Sequence, residues 1–258
     1  MSYLRRYSSP TFLHPEVTLL KPKGNRGIGV SGRGGKPPGV KPYVALLLHM
    51  DGANGGTTFT DSSPLAKTPT VSNAQTSTSP TPQFGTACGH AVSATAQGGV
   101  TWPSSADYVF TNDRKWSLDF FLYAGNTGST AEYLLARDAT VYASYSPSTR
   151  VLSFFNYGAF TTAALTALTW HHIAVDCNPA RGGLPVHLYV NGVYTASAAG
   201  GSAPSYKTNS VFGIFGIPGR ADLPSLFNSG SYIDELRIVR NTSFGDGATY
   251  PVPVSAYS

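Results

Sequence analysis

Acid–base or metal chemistry in this 258-residue chain would have to come chiefly from its 13 Asp and Glu, six His and two Cys. A carboxylate pair that cleaves a glycosidic bond needs its groups about 5–5.5 Å apart for retention and about 6.5–9.5 Å apart for inversion. On a strand such a pair falls at alternate positions, which share a face. The chain offers three glutamates, Glu16, Glu132 and Glu235. Asp234 and Glu235 are adjacent and are expected on opposite faces. Asp107, Asp113 and Asp119 are six apart, with no acidic neighbour at two or four. His171 and His172 are likewise adjacent, so the two imidazoles cannot chelate one ion together. His49, His90 and His187 stand alone in sequence. Asp51, Asn54 and Asp61 form a loop whose oxygens could take calcium, although the spacing matches no specific calcium loop; no other cofactor is expected. No nucleophile elbow appears, and the Gly-rich run 24–35 lacks the lysine-terminated spacing of a phosphate loop. The chain is therefore expected not to be an enzyme, with no catalytic residues to assign.

Charged residues make up only 12% of the chain, beside 28 Gly, 19 Pro and 12% aromatics. That composition suits short strands joined by many turns and does not suit a helical bundle. No stretch of about 18 apolar residues occurs, so no membrane span is expected. Met1 to Tyr7 lacks the apolar segment of a secretory signal, so Cys88 and Cys177 are expected as reduced, buried thiols rather than a disulfide.

The net charge of +5 is unevenly divided. Residues 1–42 hold eight Lys or Arg against Glu16, giving +7, and residues 43–258 carry −2. Six prolines and seven glycines break the leading segment, which cannot offset its ordering entropy through a core of its own. Apolar and aromatic anchors nonetheless punctuate its first half. Residues 1–42 are therefore read as an extended arm that binds a partner's surface, the alternative being a disordered tail. Its contact residues are Tyr3, Arg5, Arg6, Tyr7, Phe12, Leu19, Leu20, Lys21, Lys23, Arg26, Arg33, Lys36 and Lys41. Arg26, Arg33 and Lys36 among glycines could track phosphates, but that half offers no aromatic platform for bases. Attraction to an acidic protein surface accounts for the same residues. Nucleic acid is not the expected partner.

The elements that must position any site are strands. Trp170 to Asp176 and Val186 to Val190 each alternate with period two, and Asn178, Pro179, Gly182 and Gly183 between them supply turn chemistry. The two form an antiparallel hairpin, and Asn191-Gly192 marks a tight turn into Val193–Ala196. Lys115 to Tyr123 places Trp116, Leu118, Phe120 and Leu122 on one face and reads as a central core strand. Val44 to His49, Thr70 to Ser72, 131–136, 140–145, 151–157 and 210–215 are further strands. In the closing strand, Tyr232 to Arg240, the set Tyr232, Asp234, Leu236, Ile238 and Arg240 carries the apolar pair Leu236 and Ile238. Asp234 is thus expected inward, accepting backbone hydrogen bonds.

Three stretches resemble a known family. Trp170 to Asp176 with His187 to Val193, and Tyr232 to Arg240 (YIDELRIVR), are similar to the central hairpin and closing strand of laminin-G-like domains of the concanavalin A-like superfamily. Residues 46–63 (LLLHMDGANGGTTFTDSS) resemble the opening strand and loop of such domains in phage virion proteins. The resemblance covers residues 44 to about 250 and implies an all-β, two-sheet antiparallel jelly-roll sandwich over 43–258, its first strand beside its last. It further implies a phage virion structural protein that displays the sandwich on the outer surface, with the 1–42 arm held by capsid or tail proteins. Capsid decoration is the first expectation; a tail or fibre component, or a carbohydrate-binding module for host-surface glycans, is the alternative. An oligomer is compatible with each. Sugar binding on this fold would use exposed aromatics near amides or carboxylates, for which Tyr142, Tyr145, Tyr157, Tyr194 and Tyr206 are the candidates.

Overall fold

The structure, a computed structural model, describes residues 40–92, 99–128, 131–137, 140–154, 160–199, 211–216 and 230–258. The chain divides into two units, Met1–Gly39 and Val40–Ser258. The arm contacts expected from Tyr3 to Lys36 lie outside the described residues. Lys41 is described: it is exposed, and its carbonyl accepts a hydrogen bond from Asn241 Nδ2 at 3.0 Å.

Among the described residues the strands are β1 (Tyr43–Leu48), β2 (Thr70–Ser72), β3 (Ala74–Ser77), β4 (Cys88–Ala91), β5 (Gly99–Trp102), β6 (Trp116–Tyr123), β7 (Glu132–Arg137), β8 (Thr140–Ser146), β9 (Val151–Phe154), β10 (Phe160–Thr161), β11 (Trp170–Cys177), β12 (Val186–Val190), β13 (Val193–Ala198), β14 (Phe212–Ile214) and β15 (Tyr232–Arg240). They form two antiparallel sheets. One runs β13-β12-β11-β6-β15-β4-β3, with β1 also paired to β15; the other runs β10-β9-β8-β7-β14-β5-β2. First and last strands therefore meet, Leu48 opposite Leu236 and Val44 opposite Val239. The short strands β3, β5 and β10 were not legible in the pattern.

The core lies between the sheets. Trp116, Leu118, Phe120 and Leu122 of β6 enter it with Ile173 and Val175 of β11 and Val186 and Leu188 of β12, all buried, while Val190 is partly buried against the same cluster. The β11–β12 hairpin pairs Ile173 with Val190 and Cys177 with Val186. Its connection is a 3-10 turn, Pro179–Arg181, capped where Asn178 Oδ1 accepts the Ala180 N–H at 3.2 Å. Asn191 (φ 49°) and Gly192 (φ 80°) then turn into β13 with both central residues left-handed, as a tight hairpin requires. A Cβ on Gly192 would stand 2.8 Å from Val252 Cγ2, so this position must stay bare. Cys88 and Cys177 are free and buried, and burial pushes both thiols up to about 12.

The closing strand departs from simple alternation. Opposite β6, Asp234 pairs with Phe121 and Arg237 with Asp119, so three steps on β15 match two on β6. The extra residue is a β-bulge at Glu235, which has φ 50°. The bulge sends Ile233 into the core together with Leu236 and Ile238, and it turns Tyr232, Asp234 and Arg237 to the outer face. The expected inward facing of Asp234 is corrected, while its place near a loop, accepting backbone hydrogen bonds, is as expected. Asp234 is buried beneath the loop before β4, where its carboxylate accepts the Phe84 N–H at 3.0 Å and the Glu235 N–H at 2.9 Å.

Leu118 is 4% exposed in the middle of the core. Leu118→Ala should destabilise the sandwich by about 2–5 kcal/mol, read from the urea unfolding midpoint.

Candidate functional site

Because side chains alternate, β6 turns Ser117, Asp119, Phe121 and Tyr123 outward, and β11 turns Trp170, His172, Ala174 and Asp176 the same way. This outer face of the larger sheet holds most of the chemistry among the described residues, in two halves.

One half is a transverse row. Trp170 of β11 lies opposite Tyr123 of β6, and Tyr123 opposite Tyr232 of β15. Ile233 pairs with Gly89, which places Tyr232 beside His90 of β4; His90 in turn lies opposite Gln75 of β3. Gly89 itself faces the core, where a Cβ would stand 2.8 Å from Phe215 Cζ. His90 and Gln75 therefore face outward with Tyr232. Ring centroids are 5.0 Å apart for His90–Tyr232, 6.1 Å for Tyr232–Tyr123 and 5.4 Å for Tyr123–Trp170. All five side chains are half-buried. Trp170 Nε1 donates to the Thr81 carbonyl at 2.8 Å, which fixes the indole. Burial pushes the Tyr232 hydroxyl up and the His90 imidazole down, so His90 is neutral at pH 7. The row thus carries no formal charge.

The other half is charged and covered. Asp119, fully buried, accepts Arg237 Nε at 3.1 Å, Arg237 Nη2 at 2.8 Å and the Tyr257 hydroxyl at 2.8 Å. His172 Nε2 lies 3.6 Å from the same carboxylate. Arg237 sits between the Phe244 and Tyr257 rings, 5.0 and 4.0 Å from their centroids. Glu235 accepts the Tyr257 N–H at 3.0 Å, and His49 Nδ1 stands 3.0 Å from both its oxygens. Asp176 takes both guanidinium nitrogens of Arg181 and the Gly245 N–H. The segment from Phe244 to Tyr257 is thus tied across this half by carboxylates. Burial alone would raise the Asp119 carboxyl; contact with His172 and the Arg237 guanidinium outweigh it and hold it below the usual carboxylate range. Asp234 goes the other way: burial, aided by the Glu235 charge, outweighs its backbone donors and lifts it to about 7.

A model of the concanavalin A-like lectin/glucanases superfamily matches residues 94–242. The chain belongs to that superfamily. No curated protein matches the sequence. Solved structures with a similar fold include the binding domain of botulinum neurotoxin serotype D, at 12% identity and TM-score 0.54 over 79% of this chain and 49% of that one. The binding domain of Paraclostridial Mosquitocidal Protein 1 is similar at 11% identity and TM-score 0.53, over 79% of this chain and 50% of that one. Trypanosoma rangeli sialidase in complex with sialic acid is similar at 13% identity and TM-score 0.50, over 78% of this chain and 31% of that one. The chain spans half or less of each, and at these identities the likeness shows the lectin-like fold alone.

The sialidase likeness corrects one expectation. The absence of a carboxylate pair at strand spacing led to the inference that the chain is not an enzyme; this superfamily chain nonetheless has solved sialidases among its structural neighbours. Fold and acid spacing together therefore do not exclude activity, and the likeness does not establish it.

Other expected site residues are dispersed. Asp51 Oδ1 accepts the Thr86 hydroxyl at 3.0 Å and its N–H, Asn54 Oδ1 accepts the Thr78 N–H, and Asp61 caps the N–H groups of Leu47, Ser63 and Lys67. The three do not converge on a calcium site, and among the described residues no group of three His, Cys, Asp or Glu could hold a metal ion. His171 and His172 do face opposite ways: His171 bonds the Thr166 carbonyl and Asn191, and His172 lies under Tyr257. Tyr142 and Tyr145 are buried in the core, which corrects them as sugar contacts, since β8 turns them inward. Tyr194 is exposed, bonded to Ser197, and Tyr157 and Tyr206 lie outside the described residues. The row of Gln75, His90, Tyr123, Trp170 and Tyr232 was missed; its only sequence signal is outward phase at strand positions.

Arg237→Met should destabilise the domain by about 3–5 kcal/mol in chemical denaturation, because it leaves the Asp119 charge buried without its partner. The two shifted aspartates have opposite pH signatures. The Asp119 contribution is complete above the unfolded carboxyl value of about 4 and is lost as pH falls below it. The Asp234 contribution is complete below about 4 and is lost as pH rises through about 7. Asp234→Asn should therefore flatten the fall in stability between pH 4 and 7, and an unchanged slope in thermal melts would rule this assignment out.

Proposed function

We propose that the sandwich is a glycan-recognition domain carried on the outer surface of a phage particle, to whose capsid residues 1–42 attach it. The observation that carries the proposal is the transverse row, in which five adjacent strands each place one half-exposed, uncharged side chain at the same level of one face. Aromatic rings that are held by packing yet open to solvent on one side offer apolar area with a polar edge, which suits the mixed C–H and hydroxyl surface of a sugar. Support comes from the superfamily, which is one of lectins and glucanases, and from similar folds that are themselves binding domains or, in the sialidase, bound to sialic acid.

Attachment by the arm rests on charge and anchors. The +7 of residues 1–42 is segregated from a sandwich at −2. Long-range attraction from the arm's Lys and Arg speeds docking, and its aromatic and leucine anchors, once seated in the partner, slow release. Deleting residues 1–42 should leave a folded domain, by circular dichroism, that no longer loads onto particles. Normal occupancy of the truncated domain would end this part of the proposal. On a glycan array the full chain should give signals that Tyr123→Ala together with Trp170→Ala removes while the variant still unfolds as a folded domain in thermal melts.

A further inference from the structure

We infer that the ligand of the row is an uncharged, extended oligosaccharide lying across the strands rather than along them. This rests on glycan recognition by the row, as proposed above.

Length and direction follow from the register. The row spans β3, β4, β15, β6 and β11 in their order in the sheet. Four inter-strand spacings of about 4.8 Å make it roughly 19 Å long. That is longer than any single sugar ring, so a monosaccharide covers one step and leaves the rest solvated. Neighbouring rings are tilted by 49°, 72° and 65° along the row. The surface is consequently corrugated, and a flat polycyclic ligand would contact one ring only. A chain of separate rings joined by rotatable linkages can seat one ring at each step.

Charge follows from the side chains. A carboxamide, a neutral imidazole, two phenols and an indole line the row, and none is a cation. A sialic or uronic acid seated there would give up hydration of its carboxylate without gaining a counter-charge. Hydroxyl groups meet a better match. The Tyr123 and Tyr232 hydroxyls have no hydrogen-bond partner among the described residues, which leaves them to a ligand, whereas the Trp170 N–H is already committed to Thr81. Gln75 at the far end adds an amide with both donor and acceptor. Stacking along the centre and hydrogen bonds at the edges together select neutral sugars with exposed C–H faces.

Calorimetric titration of the full chain tests this. The probes are linear hexasaccharides of glucose, xylose, mannose and N-acetylglucosamine, their monosaccharides, and as acidic counterparts hexagalacturonate and trisialic acid. At least one neutral hexasaccharide should bind on the order of tenfold or more tighter than its monosaccharide and than either acidic probe. Tyr123→Ala and Tyr232→Ala should each weaken it by a similar factor, and Tyr123→Phe should retain most of the affinity because it keeps the ring. Melting curves confirm that each variant is folded. Tighter binding of an acidic probe, or of a monosaccharide, that is still lost in Tyr123→Ala would overturn the neutral, extended ligand while leaving recognition by the row intact. Saccharide binding indifferent to Tyr123→Ala, Tyr232→Ala and Trp170→Ala, or no binding by any probe, would overturn recognition by the row itself.

Discussion

One extra residue in the closing strand sets the chemistry of the outer face. Without the bulge at Glu235, strict alternation from Leu236 and Ile238 would place Tyr232 and Asp234 inward and Ile233 outward. With it, both halves of β15 keep their apolar residues in the core, and Tyr232 and Arg237 share the outer face with β6 and β11. The backbone conformation this requires is unfavourable for a non-glycine residue. It is held by long-range contacts to the Glu235 carboxylate, from His49 after the first strand and from the Tyr257 N–H near the chain's last residue. The strands that begin and end the sandwich therefore fix the phase of its central face.

That face divides by polarity. Where β6, β11 and β15 carry Asp119, His172 and Arg237, the charges are desolvated and must be matched, and the segment from Phe244 to Tyr257 completes the matching with a phenol and two aromatic faces. Where the same strands carry Tyr123, Trp170 and Tyr232, no charge needs a partner and the side chains stay half open. A row of rings held by strand register and, at Trp170, by a hydrogen bond to Thr81 would lose little side-chain entropy if a ligand bound it.

The superfamily supplies the architecture and leaves the site to each chain. The binding domains of a botulinum neurotoxin and of a mosquitocidal protein, and a sialidase, have a similar fold at sequence identities of 11–13%. At that distance the shared element is the stacking of two antiparallel sheets, while ligands are selected by side chains that the stacking does not constrain. On the outer face of the larger sheet only the half-open row is free of such constraint, since the charged half is buried and must keep its partners.

The sequence by itself determined the strands with strong period-two patterns, β6, β11 and β12, the Asn191-Gly192 turn, the inward set Trp116, Leu118 and Phe120, and the segregation of charge into residues 1–42. These are local properties, since alternation and turn chemistry act over a few neighbours. Short strands such as β3 and β5 escaped because three or four residues carry too little pattern. Tertiary structure alone decided the phase of β15, the inward burial of Tyr142 and Tyr145, and the assembly of Gln75, His90, Tyr232, Tyr123 and Trp170 into one row. Each depends on which residue of one strand faces which residue of another, as far apart in sequence as Gln75 and Tyr232. That register is fixed by backbone hydrogen bonds and core packing across the whole sheet, and a single inserted residue is enough to move a side chain from one face to the other.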